Sequence, residues 1–176
     1  MGIADRILDQ AGGLLGEAHV AVVRSAVARQ RGDMRGATEQ LRVAVEHYRG
    51  LDSPQVTEQE LKLAQTLFRA DQMDEAQVLA QRALAHFAQS GDVVGLTAAH
   101  VTVLPGLAHD QRWEEYDLHL EHALELLQST GLVDADLAWA ARQAGDLAAA
   151  AGQPQRAWRA FALARDQLGV LGLDMS

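Results

Sequence analysis

The chain has 176 residues, 48% of them hydrophobic, with three prolines, no cysteine and a formal net charge of −9. That is enough apolar material for one compact domain or one short stack of repeats, and too much for a disordered chain. Disulfide and thiol chemistry are excluded, no run approaches the roughly 18 apolar residues of a membrane span, and a single lysine among scattered arginines makes no basic stripe for nucleic-acid phosphates.

The N-terminus carries no basic segment followed by an apolar run, so no signal peptide is read and a cytoplasmic location is expected. Residues 3–10 form a short amphipathic stretch that ends at Gly12-Gly13. This predicts a separate N-terminal helix within 1–13, the tail of a preceding helix pair. Four helix pairs then follow, at about 17–50, 57–90, 96–129 and 135–171, with a tail at 172–176. The first helix of each pair is expected at 17–31, 58–70, 96–110 and 135–151. The second is expected at 35–49, 74–89, 114–128 and 155–171. Ala, Leu, Gln, Arg and Glu fill these segments, and all are good helix formers. No convincing strand is found, so the reading is all-α. Gly91 and Gly131 stand where a helix ends in a left-handed residue. Asp33 and Asp74 stand where a carboxylate caps a helix N-terminus or meets its dipole.

A turn phrase returns every 39–41 residues: Gly32-Asp33-Met34-Arg35-Gly36-Ala37, Asp71 to Ala76, Gln111 to Tyr116 and Gly152 to Ala157. A fixed period of this size signals stacked helix pairs. From the last residue of each phrase, four residues on come Leu41, Ala80, Leu120 and Phe161; seven on come Ala44, Ala83, Ala123 and Ala164. That spacing puts all three positions on one helix face. Alanine at the last position lets two helices approach closely. Pro105-Gly106 interrupts the first helix of the third pair.

The pattern resembles the tetratricopeptide repeat family. The matching residues are Ala64 and Gly145 in first helices, and Ala37, Ala76, Ala157, Ala44, Ala83, Ala123 and Ala164 in second helices. Ser25, Leu104 and Tyr116 depart from it, and the period exceeds the family's usual 34 residues. Longer versions of about 40 occur in bacterial transcriptional activators, kinesin light chain and polarity adaptors. The resemblance implies a right-handed superhelical solenoid of antiparallel helix pairs. It also implies that first helices line a concave face which binds a protein or peptide. On that geometry the expected contact residues are His19, Leu61, Gln65, Phe68, Arg69, Val101, Trp139 and Arg142. An apolar patch would be rimmed by arginine, the residue mix that dominates binding energy. The Lys and Asn set that grips C-terminal carboxylates in chaperone-binding members is missing.

His119 and His122 lie three apart on one helix, with no distant third ligand evident, and read as solvated. His100 reads as a hydrogen-bonded core residue. Gly12-Gly13-Leu14-Leu15-Gly16 lacks the strand and lysine of a phosphate loop. No catalytic, cofactor or metal set is read, and the chain is expected not to be an enzyme. The expected role is a protein- or peptide-binding scaffold that touches neither nucleic acid nor membrane. Two alternatives stand beside it: an effector-sensing domain of a longer bacterial transcriptional regulator, and a module that forms a homodimer or larger self-assembly.

Overall fold

The computed structural model describes residues 3–172, with side chains described from residue 12 onward. All regular structure among these residues is helical, and no strand occurs. The helices are α1 (Ile3–Gln30), α2 (Met34–Gly50), α3 (Val56–Arg69), α4 (Met73–Ser90), α5 (Val93–Thr102), α6 (Leu104–His109), α7 (Trp113–Thr130), α8 (Ala135–Ala150) and α9 (Pro154–Leu171). None is long and apolar enough to cross a membrane.

The recurring phrase is a helix stop joined to a helix start. At each copy one residue takes positive φ: Gly32 (77°), Asp71 (60°), Gln111 (56°) and Gly152 (72°). The next N–H then reaches back five residues, from Asp33 to Ala28, Gln72 to Leu67, Arg112 to Leu107 and Gln153 to Ala148, at 2.8–2.9 Å. The positive-φ residue itself donates three residues back, from Gly32 to Arg29, Asp71 to Phe68, Gln111 to Ala108 and Gly152 to Ala149, and the two bonds together satisfy carbonyls that the helix end would leave bare. It turns the chain so tightly that the next helix folds back on the last. Asp33 accepts the Gly36 N–H as an N-terminal cap, and Asp74 sits in the first turn of α4. Between pairs, Gly91 and Gly131 take the expected left-handed conformation.

The three-position face lies where its spacing places it. Ala44, Ala83, Ala123 and Ala164 are all fully buried, as are Ala37, Ala76, Leu41, Ala80 and Leu120 to within 1%. Phe161 is half-buried and lies against Gly145; a Cβ there would stand 2.5 Å from its ring. Helices adjacent in sequence pack together from α1 to α5, α5 and α6 then pack on α7, α6 also packs on α8, and α8 packs on α9. The main core runs through α2, α3, α4, α5, α6, α7, α8 and α9.

One boundary differs from expectation. Helix α1 runs without a break through Gly12-Gly13, so no separate helix ends there. A helical glycine costs only about 1 kcal/mol against alanine, and two in a long helix weaken it without ending it. The expected interruption in the first helix of the third pair falls at Val103, two residues ahead of Pro105, and separates α5 from α6. Pro105 has no N–H for the Val101 carbonyl, and the helix yields there. The expected tail lies, apart from Gly172, outside the described residues.

Candidate functional site

One face of α3 carries Glu58, Leu61, Lys62 and Gln65 at helical spacing. Across from it stand Val94 and Ala98 of α5 and Leu137 of α8, with Leu132 and Asp134 just ahead of α8. Together they line a cleft of about 390 Å³. Leu61 and Leu137 are buried in its floor, while Val94 is 54% exposed at its rim. Gly95 keeps the cleft wall thin, since a Cβ there would stand 2.4 Å from the Phe87 ring. At the inner end, Gln65 donates from Nε2 to the Thr102 hydroxyl at 3.1 Å, joining α3 to α5.

The cleft is acidic at its mouth. Asp92 and Asp134 each cap a helix, accepting from the N–H groups of Gly95 and Asp136. Glu58 is paired with Lys62 at 2.7 Å, and Lys62 is the single cation among the lining residues. An apolar floor under a mouth with an excess of carboxylates suits an apolar segment that carries positive charge.

Beyond the cleft, three first helices are tied together. Asp136 of α8 receives both Arg29 of α1 and Arg69 of α3. Arg69 also lies over Trp139, 5.1 Å from the ring centroid. Gln143 of α8 donates to the Phe68 carbonyl at 2.9 Å. Burial pulls the Arg69 pKa down, Asp136 opposes that, and Arg29 adds to it.

The expected contact residues divide accordingly. Leu61 and Gln65 line the cleft. Arg69 and Trp139 meet, but against each other and Asp136 rather than in the cleft. Phe68 and Val101 are core residues, 1% and 0% exposed, and offer no surface to a partner. Helix α3 is wrapped by α2, α4, α5 and α8, so most of its circumference is buried. His19 is exposed and packs edge-on against Tyr48, away from the cleft. Arg142 is exposed on α8, outside the cleft lining.

Leu137, Val94, Asp92 and Asp134 were not singled out by the sequence. Trp139 shares a repeat position with Glu58 and Ala98, which do line the cleft. On α8 the lining residue is instead Leu137, two positions nearer the N-terminal end, where the helix packs on both α5 and α6. His100 supplies the third imidazole that the His119 and His122 pair lacked in the sequence: its Nδ1 lies 2.8 Å from that of His119. Among the described residues, no group of three or more His, Cys, Asp or Glu side chains is set to hold a metal ion.

No protein-family model matches the chain, and no curated protein sequence matches it. Solved structures do match. One is the crystal structure of BtubC (BKLC) from P. vanneervenii, which superposes with a TM-score of 0.62 over 90% of this chain at 18% sequence identity. The chain spans 66% of the length of that protein. The likeness is one of fold.

Proposed function

We propose that this chain is a tetratricopeptide-like scaffold, its helix pairs stacked as a right-handed superhelical solenoid, that binds a protein segment in the cleft between α3, α5 and α8. The observation that carries the reading is the cleft itself: an apolar floor built from the first helices of three successive pairs, open at a carboxylate-rich mouth. The four equivalent turns and the four buried alanines support the repeat assignment. The partner segment is apolar with flanking Lys or Arg, and its affinity falls as salt rises.

A photo-crosslinking side chain placed at Val94 tests this in extract of the source organism. The crosslinked segment is then synthesised and titrated against the purified chain. Saturable binding that weakens at least tenfold in Val94→Arg, and less in Val94→Glu, supports the reading. Binding indifferent to both substitutions would remove the cleft as the site.

Self-association has one observation in its favour. Val20, Val23 and Val27 lie 48%, 63% and 39% exposed along α1, and Trp158 of α9 is 69% exposed. Such apolar stripes on a small protein mark contact faces. Light scattering across a concentration series reads the mass directly; a dimer abolished by Val23→Glu or Trp158→Ala would assign the face.

A further inference from the structure

His100 of α5 and His119 of α7 face each other with their Nδ1 atoms 2.8 Å apart. The ring of His122, one turn further along α7, packs edge-on against His100 with centroids 5.1 Å apart. A hydrogen bond between two imidazole nitrogens needs one N–H and one bare lone pair. The facing nitrogens therefore hold one proton between them. A second proton leaves two N–H groups aimed at each other with no acceptor. His100 is only 8% exposed, so water gives little relief. The groups acting on His100 are His119 and His122. Those acting on His119 are His122, Glu115 and Arg112, of which Glu115 alone favours its charge. Arg112 already holds both Glu115 oxygens, at 2.8 and 2.5 Å.

We propose that His100 and His119 form an acid-released latch between α5 and α7, closed while their facing nitrogens share one proton and opened when protonation of both rings sets like charges against each other. Helix α5 carries Val94, Gly95 and Ala98 in the cleft wall on the same short element. Release of α5 therefore reshapes the cleft. That last consequence rests on the cleft being the binding site, whereas the latch itself does not.

Burial, reinforced by the two neighbouring imidazoles, lowers the His100 pKa to about 4. Burial lowers that of His119 as well. The same rings in the unfolded chain titrate near 6.5. Between those values the folded state binds fewer protons than the unfolded one. The latch's contribution to stability is whole above about pH 6.5 and is lost as pH falls toward about 4.

Urea unfolding of the wild-type chain and His100→Asn at pH 7.5 and pH 5 tests the latch. The wild-type folding equilibrium should fall on the order of tenfold further than that of the variant over this interval. Equal losses in the two proteins would overturn the proposal. Nitrogen NMR of the wild-type imidazoles provides a check that needs no variant. At pH 7.5 one of the two facing Nδ1 atoms should be protonated and the other bare. Finding both bare, or both rings titrating near 6.5, would also overturn it. These readouts involve no ligand, so the latch and the cleft can fail separately.

Discussion

Arg69 lies over the Trp139 ring at 5.1 Å from its centroid while the same guanidinium reaches Asp136 at 3.4 Å. The tryptophan packs on the main core beneath it, so the pair joins α3 to α8. Trp139→Ala should therefore destabilise the fold by about 2 kcal/mol, less than a fully buried Trp would cost. Arg69→Ala should cost about 1 kcal/mol, and the double variant should fall short of the sum by about 0.5–1 kcal/mol, the size of a cation–π contact. Urea unfolding of the four proteins measures it. Strict additivity would mean that the two side chains do not act on each other.

What the sequence shows of this molecule is its periodicity. Ala44, Ala83, Ala123 and Ala164 recur because four helix pairs need the same close approach, and a pattern imposed by packing can be read before the packing is seen. The cleft is less legible. Its lining depends on which residues of α8 meet α5 and α6, a tertiary contact that the break at Pro105, visible in the sequence, does not by itself specify. Phe68 illustrates the difficulty: its spacing fits the face of Leu61 and Gln65, and only the wrapping of α3 by four other helices makes it core. His100 lies 19 residues from its partner His119, a separation that no local pattern marks.

Two glycines with opposite surroundings give a paired prediction. A Cβ at Gly145 would stand 2.5 Å from the Phe161 ring, whereas one at Gly12 meets nothing within 4 Å. Gly145→Ala should overpack α8 against α9 and cost about 1–3 kcal/mol. Gly12→Ala should stabilise α1 by about 0.5–1 kcal/mol through helix propensity alone. Thermal unfolding of both variants checks the signs. A stabilising Gly145→Ala would place the Phe161 ring elsewhere, and Phe161→Leu in the Gly145→Ala background should recover part of the loss.

Glu60 is buried between two arginines, with Arg49 from α2 at 2.7 Å and Arg82 from α4 at 2.6 Å. Its side chain is 6% exposed, against 57% and 52% for the arginines. Removing the carboxylate leaves two cations that water can still solvate. Removing both cations leaves a buried charge with no partner. The asymmetry predicts about 1 kcal/mol for Glu60→Gln and about 3 kcal/mol or more for Arg49→Ala combined with Arg82→Ala. Denaturant unfolding at low and high salt reads both. Equal costs would mean that water reaches Glu60 freely.

Tyr116 replaces the alanine found at its position in the other three repeats, and the ring is fully buried in the main core. Its hydroxyl finds no hydrogen-bond partner among the described residues. Burial, with Asp117 adding to it, pushes the phenol pKa up. The ring contributes packing while the hydroxyl contributes only lost hydration, so the two parts of the side chain act in opposite directions. Tyr116→Phe should leave stability unchanged or raise it by up to about 1 kcal/mol, whereas Tyr116→Ala should cost about 3–5 kcal/mol through the cavity it opens. The raised pKa adds a signature at high pH. The folded phenol stays protonated where the unfolded one, near pH 10, ionises, so the wild-type chain loses stability as pH rises past that point and Tyr116→Phe loses less. Urea unfolding at pH 7 and pH 10.5 gives both comparisons. A Tyr116→Phe variant weaker than wild type by more than 1 kcal/mol at pH 7 would mean that the hydroxyl is hydrogen-bonded in solution and that the orphaned oxygen has a partner, such as an ordered water.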